Sequence, residues 1–167
     1  MFPTALTDEA ARLLEACRQR GLMLASAESC TGGLIAGCLT EIAGSSDVVD
    51  RGFVTYSNDA KQQLLGVPEA MLQHHGAVSE PVARAMAEGA LARSAAQLAV
   101  AVTGVAGPGG GSADKPVGLV HLAVAGAQGG TQHRKMLYGD VGRSSIRLAT
   151  VATALEMLAT ATAQWPG

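Results

Sequence analysis

Three candidate nucleophiles fall in one short stretch of this chain: Ser29, Cys30 and Thr31, within Ala27-Glu28-Ser29-Cys30-Thr31-Gly32-Gly33. A hydroxyl or thiol attacks a carbonyl efficiently only when a neighbouring base takes its proton. Tyr56 and Lys61, on either side of Ser57-Asn58-Asp59, offer that base. A serine with a neutral lysine beside it is the working pair of Ser–Lys hydrolases, which cleave acyl bonds. Spacing alone leaves blander readings open. Ser29 or Thr31 could cap a helix, Lys61 could be a solvated helix residue, and Tyr56 a strand-end aromatic with its hydroxyl in water. Cys30 has no histidine at a pairing distance in sequence and reads as a small buried hydrophobe.

These side chains converge only if the elements around them cooperate. Leu22-Met23-Leu24-Ala25 reads as a buried strand, and Leu34, Ile35, Cys38, Leu39 and Ile42 recur at helical spacing, with Gly44 ending that helix. Ser29 therefore lies where a strand gives way to a helix, whose unpaired amides suit a phosphate or a developing oxyanion. Gly52 to Tyr56 reads as a second strand, Ser57 as the cap of a short helix that carries Lys61 and stops at Gly66. In a parallel sheet both junctions fall at the carboxyl edge, where open α/β sheets bind ligands.

Leu98 to Thr103 reads as a third buried strand, ending in Gly104-Val105-Ala106-Gly107-Pro108-Gly109-Gly110-Gly111. That segment is neither a dinucleotide fingerprint nor a P-loop, since it lacks G-K-[ST] and Pro116 with a strand follows it. It is either a mobile surface loop or a turn whose amides hold a phosphate or a carbonyl. Arg143 and Arg147 stand one helical turn apart. Arg143 could clamp a phosphate or be an ordinary surface arginine.

The remaining punctuation completes an α/β pattern. Thr7 caps a first helix with Ala10, Leu13, Leu14 and Cys17 on one face and Gly21 closing it. Pro68 opens a helix that ends near His74-His75-Gly76, and Ser79-Glu80-Pro81 start a longer one with Val82, Met86 and Ala90 inward. Strands 117–125 and 131–138 form a hairpin around Gly126 to Gly130, and a last helix starts between Gly142 and Ser145. Its inner stripe is Leu148, Val151, Ala152, Leu155, Leu158 and Ala159. Early strands alternating with helices, then a late hairpin, predict an α/β sandwich with a mixed sheet.

Composition narrows the function classes. The 167 residues suit one domain spanning 1–167, and 48% hydrophobic with 3% aromatic residues requires a core of Ala, Val, Leu, Ile and Met. A net charge of −2 without a basic run argues against nucleic acid as a partner. Three cysteines without C-x-x-C spacing fit a reducing compartment. With no signal peptide and no apolar run of spanning length, the expectation is a cytoplasmic protein without a membrane partner. The adjacent His74 and His75 point about 100° apart on a helix, and His121 and His133 sit in the hairpin strands as structural or exposed residues. No metal site and no cofactor are expected.

The segments Ala27 to Gly33, Gly52 to Asn58 with Ala60-Lys61, Gly76-Ala77-Val78-Ser79-Glu80, Thr103 to Pro108, and Lys115-Pro116-Val117-Gly118 together resemble the CinA C-terminal domain family. The resemblance covers nearly the whole chain, in order. Characterised members are nicotinamide-nucleotide amidases, so it implies metal-free hydrolysis of nicotinamide mononucleotide to nicotinic acid mononucleotide and ammonia. It implies a three-layer α/β/α fold with a mixed, mostly parallel sheet, and a homo-oligomer, most simply a dimer. The family's catalytic positions fall on Ser29, Tyr56 and Lys61, and its substrate-binding positions on Thr31, Gly32, Thr103, Gly104, Gly107 and Arg143.

In the implied mechanism Ser29 attacks the amide carbonyl and amides at the start of its helix hold the oxyanion. Lys61 takes the serine proton, with Tyr56 shaping or relaying the transfer, and passes it to the leaving ammonia. At its reference pKa, deprotonating a lysine at pH 7 costs roughly 4.6 kcal/mol, a cost that burial lowers. The alternative is a non-catalytic module that senses a nucleotide in the same pocket. Two departures stand out. Many relatives carry Phe-x-Gly-Asp-Arg before the last helix, whereas here Leu137-Tyr138-Gly139-Asp140-Val141-Gly142-Arg143 puts two residues between Asp140 and Arg143. Some relatives also have an N-terminal domain linked to nucleotide pyrophosphatase activity, which is not expected of this sequence.

Overall fold

In the structure, a computed structural model describing residues 1–166, the elements follow one another as α1 (Thr4–Arg20), β1 (Leu24–Glu28), α2 (Leu34–Thr40), β2 (Val49–Val54), α3 (Asn58–Leu65), α4 (Glu69–His75), α5 (Glu80–Ala92), β3 (Leu98–Gly104), β4 (Leu119–Gly126), β5 (Thr131–Leu137) and α6 (Arg143–Ala163). The five strands form one sheet in the order β2-β1-β3-β4-β5. β1 is parallel to both β2 and β3, and the β3-β4 and β4-β5 pairings are antiparallel. The sheet is thus mixed, with only β4 reversed, and the late hairpin is β4-β5.

Residue size on the two faces of the central strands explains the layering. Leu24, Val100, Val102, Leu122 and Val124 face α1, α2 and α6, while Ala25, Ala27, Ala99, Ala101, Ala123 and Ala125 face α5. Strands buried on both faces read as continuous apolar runs. The alanine face leaves room for α5 to approach closely, and α5 presents its own small residues Ala83, Ala87 and Ala90 there. The result is a three-layer α/β/α sandwich. By length and composition α6 could cross a membrane, yet 56% of its most apolar window is buried inside the fold.

Several boundaries differ from the sequence reading. Thr7 does not cap α1; its hydroxyl donates to Thr4 O at 2.9 Å, and the helix starts earlier because Pro3 O accepts the Leu6 and Thr7 amides. That extra turn brings Leu6 into the core, with Phe2 packed beside it. β1 runs on through Glu28, since the Ser29 amide donates to Val102 O and the Thr55 amide to Glu28 O. α2 ends at Thr40, and Gly44 (φ 78) instead opens a short 3-10 turn over Ser45–Asp47. Pro68 lies just outside α4. β2 begins at Val49 and ends at Val54. β4 begins at Leu119 because Gly118 (φ 93) lies against the Gly139 backbone, where any Cβ would collide. On α6 the buried face is broader than the expected stripe: Ile146, Ala154 and Met157 are buried, and Leu148, Ala152 and Ala159 only partly so. That helix packs against α1, α2 and the sheet at once.

Candidate active site

Ser29 is the first residue beyond β1, in a turn closed by the Gly32 amide donating to Ser29 O at 3.1 Å. Gly32 (φ 59) and Gly33 (φ 100) give the turn its left-handed backbone, which glycine adopts without strain. Neither Ser29 nor Thr31 caps α2 with its side chain. Glu28 does that work from inside the protein: fully buried, its carboxylate accepts the Ile35 amide at 2.8 Å and the Ala36 amide at 3.0 Å. It also accepts the Thr31 hydroxyl at 2.7 Å and the Ser26 hydroxyl at 3.3 Å. The first amides of α2 are therefore already occupied, and the expectation that they hold an oxyanion is corrected. The amides of Thr31 and Gly33, one turn earlier, donate to no acceptor among the described residues.

Lys61 lies on the first full turn of α3. Ser57 caps that helix by accepting the Ala60 amide at 3.0 Å, as its sequence position predicts. The helix points Lys61 inward, and the side chain is only 1% exposed. Its Nζ stands 3.0 Å from Ser29 Oγ and donates to Thr55 O at 2.8 Å. Burial pushes the ammonium below the usual lysine range, because the charged form loses water without gaining a paired anion. A lysine that is neutral part of the time and in contact with a hydroxyl can act as its base.

Tyr56 is 60% exposed. Its hydroxyl accepts from Arg143 Nη2 at 2.8 Å, and no hydrogen bond links it to Ser29 or Lys61 among the described residues. Arg143 also donates from Nη1 to Gly107 O at 2.8 Å. Despite the two residues between Asp140 and Arg143, the guanidinium thus bridges Tyr56 and the glycine-rich loop. Gly104 and Gly107 sit tight: a Cβ on Gly104 would come within 2.7 Å of Val120, and one on Gly107 within 2.7 Å of Val117. Thr31 and Thr103 are buried, and their hydroxyls donate to Glu28 and to Ala77 O (2.9 Å). They brace the loops of the site with these hydroxyls.

Two contributors were not singled out by sequence. Glu28 preceded the motif's nucleophile, and its only cue was an acidic residue just ahead of a helix start. Arg147 donates from Nε to Cys30 O at 3.1 Å and from Nη2 to Thr31 O at 2.7 Å. Its spacing from Arg143 was visible, but not which carbonyls it would meet.

The rival groups are placed differently. Cys30 is 7% exposed and burial pushes its thiol up to about 11, which disfavours the nucleophilic thiolate. His121 and His133 are joined at 2.9 Å within the hairpin, with Glu80 3.4 Å from His133. No cluster of three metal-binding side chains occurs among the described residues. A cavity of about 300 Å³ at the opposite end of β3, lined by Leu98, Val124, Gln132 and Trp165, contains none of the candidate site residues.

Comparisons with known proteins identify the family. A family model described as the CinA C-terminal domain matches residues 6–162. A CinA-like protein of Geobacter sulfurreducens is 55% identical over 141 residues, 84% of this chain and 34% of the relative. A CinA-like protein of Anaeromyxobacter dehalogenans is 52% identical over 139 residues, 83% of this chain and 34% of the relative. The chain thus spans about a third of the length of these relatives. Among solved structures, the competence/damage inducible protein CihA from Agrobacterium tumefaciens superimposes with a TM-score of 0.96 at 62% identity, covering 98% of this chain and 99% of that one. A CinA superfamily protein from Klebsiella pneumoniae gives 0.90 at 33% identity, with 96% and 99% covered.

Proposed function

The chain belongs to the CinA C-terminal domain family, and we propose that it hydrolyses the carboxamide of nicotinamide mononucleotide to nicotinic acid mononucleotide and ammonia. One observation carries this reading: the buried Lys61 amine, its charge disfavoured, 3.0 Å from the Ser29 hydroxyl. Ser29 Oγ attacks the amide carbon while Lys61 takes the hydroxyl proton. The Gly33 amide, which has no acceptor among the described residues, is the candidate donor to the developing oxyanion. Lys61 then protonates the departing nitrogen, which leaves as ammonia with the C–N electron pair. A water, deprotonated by Lys61 in turn, cleaves the nicotinyl ester and restores Ser29.

Arg143 and the glycine-rich loop hold the phosphate, away from the scissile amide. Binding energy from that remote group positions the amide for attack. Tyr56, tethered to Arg143, shapes the mouth of the site rather than contacting the dyad directly. The reading needs no metal or cofactor. A reducing, cytoplasmic setting suits its three free cysteines, Cys17, Cys30 and Cys38, and the family resemblance adds a dimer.

The test is ammonia release from nicotinamide mononucleotide by the purified chain, with Ser29→Ala alongside. Stoichiometric ammonia and nicotinic acid mononucleotide, both lost in Ser29→Ala, support the assignment. Binding of the nucleotide without turnover would instead favour a sensing module.

A further inference from the structure

The hydrolytic reading leaves one feature unused, the cavity of about 300 Å³ at the end of β3 remote from Ser29. Its buried lining is Leu98, at the start of β3, and Val124 of β4, each 2% exposed. Trp165, the single tryptophan of the chain, lines it from just beyond α6. Gln132 of β5 and Gln164 are exposed lining residues, and Gln132 Nε2 donates to Gln164 Oε1 at 3.0 Å. No charged side chain lines the cavity among the described residues.

Gly126 keeps this space open. It ends β4 opposite Leu98 in the ladder, and its φ is not left-handed, so the backbone does not demand glycine there. An added Cβ would lie 3.5 Å from Leu98 Cδ2 and 3.6 Å from Trp165 Cζ3, in the gap between them. A strand glycine forgoes packing and often marks a place where another group comes close.

We propose that this cavity is a binding site for an uncharged planar base of the adenine type, separate from the Ser29 site and independent of the hydrolytic reading. Its volume is at the lower end of the range for small-molecule clefts, which suits one or two fused rings. Leu98 and Val124 offer the ring apolar surface, and the indole of Trp165 offers it an aromatic partner. The bond between the two glutamines leaves Gln132 Oε1 as an acceptor and Gln164 Nε2 as a donor. Together they present the donor and acceptor that a glutamine amide offers to an adenine edge. A carboxylate or phosphate would meet no cation in this lining, so burying one here would go uncompensated.

The test titrates wild type, Gly126→Ala and Gln132→Leu with adenine, toluene and benzoate, reading Trp165 emission and taking affinity from the midpoint. Adenine should change the emission saturably. Toluene lacks the polar edge and benzoate carries a charge, so each should bind about tenfold or more weakly. Gly126→Ala should keep its melting temperature, because both new contacts are at ordinary van der Waals distance, yet weaken adenine about tenfold by crowding the ring. Gln132→Leu should narrow the preference for adenine over toluene about threefold to tenfold, the share of one hydrogen bond.

No saturable response to adenine would overturn the proposal. Equal affinity for toluene or benzoate would overturn it too, since the cavity would then not select an uncharged base. Equal adenine affinity in wild type and Gly126→Ala would place the base elsewhere and also overturn it. Should Gly126→Ala fail to fold, Gln132→Leu decides, and an unchanged preference for adenine over toluene would contradict the assignment. The assay needs no turnover, so a chain that leaves nicotinamide mononucleotide intact would sink the amidase reading alone.

Discussion

Ser29 and Cys30 are adjacent, yet only one faces a base. Lys61 touches the Ser29 hydroxyl, while burial raises the Cys30 thiol to about 11. Cys30→Ala should therefore retain most turnover and Ser29→Ala should lose it, a comparison read directly from ammonia release. Lys61 sets the pH dependence. Only its neutral form can take the serine proton, and burial lowers the pH at which that form appears. The rate should rise with pH as Lys61 deprotonates and then level off, with the acid limb displaced below the ordinary lysine range. Lys61→Met should cost about 10²–10⁴-fold, the usual share of a general base; a variant with an unchanged pH profile would remove Lys61 from the mechanism. For Arg143, a charge-assisted phosphate contact of roughly 1.5–3 kcal/mol converts to about a tenfold to hundredfold loss on the mononucleotide in Arg143→Ala. Residual action on free nicotinamide should be nearly unaffected, and equal loss on both would assign Arg143 to the fold instead.

The elements matter because they fix the distance between these residues. α3, which carries Lys61, is seated against α5 where Gly89 meets Leu65 O so closely that a Cβ would collide. Gly89→Ala should push α3 outward, destabilise the fold by about 1–3 kcal/mol and reduce kcat with it. Gly109→Ala, where a Cβ meets open space, is the matched control for stability and should leave the melting temperature unchanged. The hairpin gives a separate pH prediction. His121 touches His133 of β5 and feels the charges of Lys135 on β5, Glu80 on α5 and Lys115 in the preceding loop, while Arg84 of α5 acts on His133. Burial, reinforced by His133, pushes His121 down to about 4. The unfolded chain takes up that proton near pH 6.5 and the folded chain only near 4, so stability should fall as pH drops between them, by up to about 3 kcal/mol. In His121→Asn, urea midpoints at pH 7 and pH 4.5 should lie closer together than in wild type; equal spacing would contradict this origin.

Across the whole molecule, what sequence reveals is what local chemistry dictates. The Ser29 and Ser57 junctions were legible because small polar residues and glycines punctuate apolar runs, and Ser57 caps α3 as its position requires. The apolar run from Leu98 to Thr103 likewise announced a buried strand, though not that its alanine face belongs to α5. Long-range choices were hidden: Arg147 meets a turn 116 residues earlier in the chain, and Glu28 caps a helix from within the core, where a helix-start serine looked the better candidate. The Thr7 cap failed for the same kind of reason, since burying Leu6 rewards an earlier helix start. Ser29 and Lys61 meet only because β1 and β2 are parallel neighbours and each turns into a helix at the same edge. The central claim is that this meeting makes Ser29 the point of covalent attachment. It is tested most directly by quenching the chain in acid during turnover of nicotinamide mononucleotide and mapping the added mass. The account predicts a nicotinic acid mononucleotide acyl group on the peptide's Ser29, absent from Ser29→Ala, which should also release no ammonia. An acyl group on Cys30, or ammonia released by Ser29→Ala at the wild-type rate, would contradict it.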